Sequence, residues 1–341
     1  LWDECKQELT QYAQDASKQI ARNRKLENQK IESDLIVAEN QLASSPTNPL
    51  LKEKVRTCKE ALKQTEFQLL QRTLHNSHYK HIATDNMSLA TAKTLQKQSA
   101  EGRTMNSLKS ATGNRLTEPN KILSELQQQY EDQFRKEGTS VSIQNMFLNS
   151  LSTTVPPTKY FSTSDPISPL EVLKAIKSLA NGKTPGLDGL PSDLYKAFAA
   201  PCSVILADIY KSCYNNGELP PSMYQGVISL LYKGKGDREE RSNWRPLTML
   251  NTDYKILAKV LTNRFKTFMP DLVNLDQTCA VDGRNIVDGL LHINNITSLM
   301  SERKQGILMS VDHQSAFDVI EWDFIISTLH KFHLPPYLIK W

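Results

Sequence analysis

The 341 residues carry 41 Lys and Arg against 37 Asp and Glu, and the formal net charge of +4 is too small to identify a polyanionic partner. A composition that is 39% hydrophobic and 23% charged is typical of a soluble protein, and the length allows about two domains with a core each. The five cysteines form no CxxC pair, and no apolar run approaches the roughly 20 residues of a membrane span, so we expect reduced, intracellular thiols and no membrane anchor.

The amino-terminal stretch LWDECKQELT has neither a signal-peptide pattern nor an initiator Met. Because the sequence also stops abruptly at Trp341, we expect that both ends are cut from a longer protein. Residues 1–137 contain little glycine and much Gln, Lys, Glu and Leu, which predicts a helical linker region. Two apolar stripes at helical spacing flank the loop SSPTNP (44–49) and predict a helical hairpin: Ile31, Leu35, Ala38 and Leu42, then Leu51, Val55, Cys58, Leu62 and Leu69.

Three histidines near the end of this region, His75, His78 and His81, raise the hypothesis of a metal site on one helix face. Residues at i and i+6 splay apart, however, and no fourth Cys or Asp lies at ligand spacing. Exposed polar residues near a phosphate backbone are therefore the favoured interpretation.

Residues 138–169 are rich in Ser, Thr and Pro around few apolar positions, which predicts a loop-rich connector. From 170 to 341 the pattern is mixed. A first helix, with Ser168 as its N-cap, ends at Asn181-Gly182. The remaining elements are predicted as helices near 192–214, 252–268 and 285–302, strands at 226–232 and 306–312, and a final helix from about 321. Helices and strands without a regular βαβ repeat indicate an α+β fold.

The apolar run Gly306–Val311 predicts one buried strand that ends at Asp312. Apolar residues from Trp322 to Leu329 recur at helical spacing, so a helix would cover the sheet. A carboxylate at the tip of a buried strand is well placed to bind Mg²⁺ together with phosphate oxygens. On this stretch alone, a carboxylate that caps a turn is the favoured alternative.

Five stretches occur in one order: NGKTPGLDGLP (181–191), GVISLLYKGKGD (226–237), NWRPLTMLNTDYKILAKVLTNR (243–264), DQTCAVDGRN (276–285) and SVDHQSAFD (310–318). Together they resemble the reverse transcriptase domain of LINE-type, non-LTR retrotransposon proteins over about residues 170–341. The amino-terminal region, down to TEPNKILSELQQQYEDQF (117–134), resembles more weakly the segment that joins endonuclease to polymerase in that family.

The resemblance implies a right-hand polymerase fold, of which the fingers and part of the palm are present. Asp312 would be the first catalytic carboxylate and a ligand of two Mg²⁺ ions, assisted by the main-chain carbonyl of His313. Ser315, Ala316 and Phe317 would lie at the incoming deoxynucleoside triphosphate. Phe317 would exclude a 2′-hydroxyl, although its spacing fits a core aromatic equally well.

The resemblance also implies that Lys233 and Arg245 bind the nucleotide, since a guanidinium can hold phosphate through two parallel hydrogen bonds. The RNA template and DNA primer would contact a further set of residues: Lys183, Lys235, Lys255, Lys259, Gln277, Gly283 and Arg284. Residues 231–266 hold nine Lys and Arg against four acids, which favours a polyanionic ligand. Lys255, Lys259 and Lys266 would share one helix face opposite an apolar stripe, but a solvated basic face would have the same pattern.

Two positions depart from the family pattern. Ser315 stands where the family has lysine, and Asp282 stands where it has proline. The second metal-binding motif, an aromatic-x-Asp-Asp turn, is also missing, because no Asp-Asp pair occurs in the sequence. We therefore expect no polymerase activity from these residues alone.

Three functions are open at this point. The first is a polyprotein fragment, with endonuclease before it and palm and thumb after it, that acts in a cytoplasmic and nuclear ribonucleoprotein. The second is a catalytically dead remnant that binds nucleic acid or another partner. The third, a structural coiled-coil protein, fits only residues 1–137 and leaves the five ordered stretches unexplained.

Overall fold

The computed structural model describes residues 1–76, 104–135, 138–303, 306–313 and 315–341, with side chains omitted for 72–76. These parts are mostly helical and contain two small sheets, which agrees with the α+β class. The chain divides into two compact units. One comprises Leu1, Asp3–Pro119 and Ser229–Leu247, and the other comprises Trp2, Asn120–Ile228 and Thr248–Trp341. The three-part division expected at 137/138 and 169/170 stays a prediction.

The helical hairpin predicted near the amino terminus is present as α1 (Trp2–Ser44) and α2 (Pro49–Asn76). Ala38 and Val55 are buried. Glu39 and Lys59 form an ion pair of 2.9 Å across the two helices. Most of the stability of helices in proteins comes from packing against a neighbour, and the hairpin supplies such packing. The side chains of the histidine triplet, and with them the metal hypothesis, lie outside the described residues.

The region expected to be helical also contains a small antiparallel sheet of β1 (Leu108–Lys109) and β2 (Arg115–Leu116). Leu108 pairs with Leu116, and Lys109 pairs with Arg115. Gly113, with a φ of +83°, closes the turn in a conformation that glycine adopts without strain. Strands of two residues are too short to produce a recognisable alternation, and this explains why the helical composition concealed them.

The expectation that 138–169 is loop-rich was wrong. After α3 (Pro119–Phe134) this segment forms α4 (Val141–Ser150) and α5 (Pro157–Ser164). Prolines and hydroxyl residues are typical of loops, but they are also favoured at the first positions of helices. Here Ser140 is the N-cap of α4, and Pro157 begins α5.

Four helices build the main core of the second unit: α6 (Pro169–Ser178), α7 (Ser192–Ala197), α8 (Ala199–Asn216) and α9 (Thr252–Lys266). Their fully buried members include Val172, Ile176, Leu206, Tyr210 and Ile256. The N-cap predicted at Ser168 is confirmed, since its hydroxyl accepts from the amide of Glu171 in a capping box. The single helix expected near 192–214 is instead two helices that meet at Phe198.

The predicted strand 226–232 is confirmed as β3 (Gly226–Tyr232), and it pairs with β4 (Trp244–Leu250), which the sequence pattern did not reveal as a strand. The helices that follow are α10 (Met269–Leu272), α11 (Ile286–Arg303), α12 (Trp322–Lys331) and α13 (Pro336–Lys340). No helix in the described ranges is long and apolar enough to span a membrane. All five cysteines are free thiols.

The buried strand predicted at 306–312 was wrong. Residues 306–313 have no regular structure, and their apolar side chains are exposed, with Ile307 at 93%. A strand needs a neighbour for its backbone N–H and C=O groups. Among the described residues only β1–β2 and β3–β4 form sheets, and neither includes this segment. Helix α12 therefore covers no sheet here, and Trp322 is exposed.

Candidate nucleic-acid and nucleotide site

The turn that joins β3 to β4, residues 233–243, carries the first group of predicted phosphate-binding side chains. The amide of Lys233 donates to the carbonyl of Asn243 at 2.8 Å, and the Lys233 Nζ donates to the carbonyl of Ser242 at 2.6 Å. The Tyr232 hydroxyl donates to the carbonyl of Gly236 at 2.5 Å. The turn is therefore folded on itself, and the ammonium of Lys233 binds a main-chain carbonyl of the segment that leads into β4.

Two further cations of this group face solvent. Lys235 lies between Gly234 and Gly236, whose φ angles of +81° and +85° bend the turn sharply. Arg245 is exposed on β4 next to Trp244, which is buried, because successive residues of a strand point to opposite faces. Lys235 and Arg245 are accessible to a phosphate, and both belong, with Lys233, to the first compact unit.

In the second unit, the loop that carries Lys183 is locked against the start of α9. Gly186 lies so close to Asn251 that an added Cβ would come within 2.6 Å of the Asn251 amide nitrogen. The buried Asn251 side chain accepts from the amide of Asp188 at 3.2 Å and donates to the carbonyl of Ser222 at 2.8 Å. Lys183 itself is exposed. The structure thus fixes the loop of Lys183 relative to the helix that carries Lys255 and Lys259.

Helix α9 has the two faces that its sequence predicts. Ile256, Leu257 and Val260 are buried in the core, and Lys255 and Lys259 are half-buried on the other side. The third lysine of the expected basic face, Lys266, forms an ion pair with Asp282, with its Nζ 2.9 Å from Oδ1. Asp282, one of the two departures from the family pattern, therefore neutralises one cation of this face.

A buried guanidinium that sequence reasoning missed lies on the same helix. Arg264 donates through Nε and Nη2 to the two carboxylate oxygens of Glu171, at 2.7 and 2.9 Å. It also donates to three main-chain carbonyls, those of Thr163, Asp165 and Pro166. Burial opposes ionisation of Glu171, but the hydrogen bonds from Arg264 and Ser168 outweigh it and hold its pKa below the ordinary value. Sequence reasoning identified Ser168 as the N-cap of α6, but it identified neither Glu171 nor its partner Arg264.

The predicted template contacts Gln277, Gly283 and Arg284 share one compact loop. The Arg284 guanidinium donates to the carbonyl of Gln277 at 2.8 Å and to three others, those of Pro270, Val273 and Asn274. Gly283 has a φ of +81° with open space where a Cβ would lie. Arg284 thus holds the loop 270–277 together, and its contact with a template stays a prediction.

The segment expected to hold metal and nucleotide is exposed. Asp312 and His313 lie on the irregular stretch 306–313, and Phe317 is fully exposed. Ser315 has a φ of +51°, which is uncommon outside glycine, and its hydroxyl lies 3.5 Å from Nε2 of Gln133. Ala316, its neighbour, is half-buried.

Mg²⁺ prefers carboxylate oxygens, of which Asp312 supplies one pair. In the portion of the chain that the structure describes, no group of three or more His, Cys, Asp or Glu could hold a metal ion. The described residues therefore do not form a complete metal site, and the contribution of Asp312 to one stays a prediction.

The residues after Phe317 pack against α3 and α4 around a cavity of about 650 Å³. Glu321 accepts from the amides of Gly138 and Thr139, at 3.1 and 2.9 Å, and from the Gln144 side chain at 3.1 Å. Glu321 thereby ties the start of α12 to α4. Sequence reasoning did not identify this contact, because it joins positions about 180 residues apart that share no periodicity.

Comparison with known proteins supports the resemblance that the five ordered stretches suggested. Residues 233–341 match the family model described as "Reverse transcriptase (RNA-dependent DNA polymerase)". This match begins at Lys233 and includes Arg245, Arg284 and Asp312.

Among curated proteins, the chain is 26% identical over 341 residues to the "Transposon TX1 uncharacterized 149 kDa protein" of Xenopus laevis, covering 99% of this chain and 26% of that protein. A "Probable RNA-directed DNA polymerase from transposon BS" of Drosophila melanogaster is 25% identical over 178 residues, covering 50% of the chain and 20% of that protein. The "Putative 115 kDa protein in type-1 retrotransposable element R1DM", also from Drosophila melanogaster, is 29% identical over 161 residues, 47% of the chain and 16% of that protein.

The chain spans about a quarter or less of the length of these relatives. The family match and the relatives agree on one domain type. Residues 233–341 carry sequence of a reverse transcriptase domain of the kind found in LINE-type, non-LTR retrotransposon proteins.

Proposed function

We propose that the chain is a fragment of an RNA-directed DNA polymerase from a non-LTR retrotransposon, in which a helical linker region precedes the fingers and the first part of the palm at residues 170–341. The observation that carries this proposal is the match of residues 233–341 to the reverse transcriptase family. The exposed Lys235 and Arg245 support it, since they lie on a tightly folded hairpin and are accessible to phosphates. The proposed parent is a polyprotein with an endonuclease before these residues and the remaining palm and thumb after them.

In this proposal the β3–β4 hairpin contacts the incoming deoxynucleoside triphosphate through Lys233 and Arg245. Asp312 and the carbonyl of His313 are ligands of the catalytic Mg²⁺ ions, and Ser315, Ala316 and Phe317 lie beside the nucleotide sugar and phosphates. The template and primer contact Lys183, Lys235, Lys255, Lys259, Gln277, Gly283 and Arg284. Most of these contacts reach the nucleic-acid backbone, so they give affinity without sequence preference.

We also propose that residues 1–341 alone do not extend a primer. Two catalytic metal ions would need more than one carboxylate, and Asp312 is the only carboxylate among these residues that the resemblance assigns as a ligand. The proposed setting of the parent is a cytoplasmic and nuclear ribonucleoprotein.

A binding measurement tests the proposal on the 341 residues themselves. Fluorescence anisotropy of a short labelled rA·dT hybrid should show binding that weakens about tenfold or more as salt rises from roughly 50 to roughly 200 mM. The double variant Lys183→Ala/Lys235→Ala should bind more weakly by about threefold to tenfold and show a shallower salt dependence. Both side chains are exposed, so the variant should fold normally.

Exposed lysines outside the proposed surface provide the matched control. Lys18→Ala/Lys25→Ala in α1 removes the same charge, and it should bind the hybrid within about twofold of the unchanged chain. Equal loss in the two double variants, or no binding at the lower salt, would contradict the proposal. If the chain binds the hybrid but the parent polyprotein cannot extend a primer, the alternative is established: a catalytically dead remnant that binds nucleic acid.

A further inference from the structure

The small β1–β2 hairpin brings two cations together. Lys109 and Arg115 are register partners, so their side chains lie on the same face of the hairpin, while Leu108 and Leu116 take the other face. Leu108 is fully buried, which anchors the apolar face. Like charges directly opposite each other destabilise a strand pair. The hairpin therefore needs acids on its charged face.

Those acids come from the β3–β4 turn, in the same compact unit. Arg115 Nε donates to Glu239 at 2.6 Å, and Lys109 Nζ lies 2.6 Å from Asp237 and 3.3 Å from Glu240. A main-chain bond runs alongside, from the amide of Lys109 to the carbonyl of Glu239 at 2.8 Å. Every acid of the turn 233–243 is thus paired with a cation of the hairpin.

The Ser107 hydroxyl reinforces the same contact, since it donates to Oε1 of Glu239 at 2.8 Å, the oxygen that also receives Arg115. The pKa shifts of the paired groups have the directions that this pairing requires. The hydrogen bonds that Lys109 donates to Asp237 and Glu240 raise the pKa of Lys109, and the bond from Lys109 holds the pKa of Asp237 below its ordinary value.

These pairings change the charge that a phosphate would meet. The turn contains four cations and three acids, so by itself it is almost neutral. With the three acids engaged by Lys109 and Arg115, the net charge of the turn and hairpin together is +3. Because a nucleic acid responds to local charge, the hairpin makes the turn a better phosphate-binding surface.

We propose that residues 107–115 are a brace for the 233–243 turn, with Lys109 and Arg115 as positioning residues that neutralise its acids and hold Lys235 in place for the nucleic-acid backbone. The brace rests on the proposed function, because it assigns a role in binding the template and primer. Lys109 and Arg115 act through Asp237 and Glu239 and need not touch the ligand.

The brace predicts two effects of breaking the pair of Arg115 and Glu239. The apparent affinity for a ligand falls in proportion to the fraction of molecules whose turn is in the binding conformation. Arg115→Glu should therefore raise the hydrogen-exchange rate of the 233–243 amides about fivefold and weaken binding of the rA·dT hybrid about threefold to tenfold. The double variant Arg115→Glu/Glu239→Arg re-forms the pair, and it should restore both values to within about twofold.

A matched control separates the effect of breaking the brace from the effect of changing the net charge of the chain. Arg56 in α2 is 65% exposed and paired with Glu53, and Arg115 is 66% exposed and paired with Glu239. Arg56→Glu makes the same change of charge away from the turn, and it should leave the exchange of 233–243 unchanged. The single variant Glu239→Arg makes the chain more positive, yet the brace predicts faster exchange and no gain in hybrid binding.

The outcomes distinguish the brace from the proposed function. If Lys235→Ala weakens hybrid binding but Arg115→Glu binds like Arg56→Glu, the brace is overturned and the proposed function stands. If exchange increases in Arg115→Glu while hybrid binding is unchanged, the hairpin is only structural, and the brace is again overturned. If the unchanged chain does not bind the hybrid at all, the proposed function fails, and the role of the brace fails with it.

Discussion

Arg264 and Glu171 form a doubly hydrogen-bonded ion pair that joins the end of α9 to the start of α6, with N–O distances of 2.7 and 2.9 Å. The Arg264 side chain is almost fully buried, and its remaining donors reach the carbonyls of the segment before α6. A buried guanidinium with all of these partners is satisfied, whereas the loss of one partner leaves an uncompensated charge. This pair fixes the orientation of the helix that carries Lys255 and Lys259.

We expect Glu171→Gln to lower the free energy of unfolding by about 3 kcal/mol, because the buried guanidinium loses its counter-charge. Arg264→Lys keeps the charge but loses the paired geometry, so it should also be destabilising. Urea denaturation measures both effects. The control is Lys266→Ala, which removes an exposed ion pair on the same helix and should change stability by less than about 1 kcal/mol. Equal effects of Glu171→Gln and Lys266→Ala would contradict the importance of the buried pair.

The pH dependence of stability follows from the lowered pKa of Glu171. In the unfolded chain this carboxyl titrates near its ordinary value of 4.5, and in the folded chain it titrates lower. Between the two values the unfolded state binds more protons, so stability falls as the pH falls. The contribution of Glu171 is complete above the unfolded pKa and is lost as the pH falls through the folded pKa.

Denaturation curves at several pH values between about 6 and 3 check this expectation. The difference in unfolding free energy between the unchanged chain and Glu171→Gln should be largest at pH 6 and shrink toward pH 3. A difference that stays constant across this range would show that ionisation of Glu171 does not contribute.

The contact of Gly186 with Asn251 predicts that Gly186→Ala is destabilising. An added Cβ would lie 2.7 Å from the Cα of Asn251, which is main chain and cannot move without shifting α9. We expect a loss of about 1–3 kcal/mol in unfolding free energy and faster hydrogen exchange in the loop of Lys183. Leu187→Ala, at the exposed neighbouring position, is the control and should have little effect. Stability unchanged by Gly186→Ala would mean that the loop does not pack on Asn251.

The four main-chain carbonyls that Arg284 binds predict a structural role for this side chain. The family resemblance implies only a contact with the template. Arg284→Ala should remove about 2 kcal/mol of stability, because hydrogen bonds from a charged group are stronger than neutral ones. Hydrogen exchange should increase in residues 270–285. Arg303→Ala, exposed in the last turn of α11, removes the same charge and should do neither. A loss of hybrid binding in Arg284→Ala without faster exchange would favour direct contact with the template over a structural role.

Sequence reasoning predicted the elements whose periodicity is local. The helical hairpin, the N-cap at Ser168, strand β3 and the buried stripe of α9 all follow from sequence patterns within one element or its ends. It failed where the outcome depends on a distant partner. The apolar run before Asp312 has the pattern of a buried strand, but the described residues provide no strand to pair with it. Periodicity predicts that a segment can be a strand, and a neighbour decides whether it is one.

The candidate site shows the same difference between features that local sequence predicts and features that depend on distant partners. The order of five stretches was sufficient to identify the domain type, and the family match confirms it. The contacts that shape the site join positions far apart in sequence, such as Arg115 with Glu239 and Arg264 with Glu171. Ion pairs of this kind have no spacing rule. Arg284 illustrates the converse, since a residue matched to a family motif also has four main-chain carbonyls as partners.

Extension of an oligo(dT) primer on poly(rA) in the presence of Mg²⁺ tests the central claim most directly. We expect the proposed parent polyprotein to make DNA product, its Asp312→Asn variant to make none, and residues 1–341 alone to make none. A parent whose product survives Asp312→Asn would contradict the role of Asp312. An Asp312-dependent product from residues 1–341 alone would contradict the expectation that the active site needs further carboxylates.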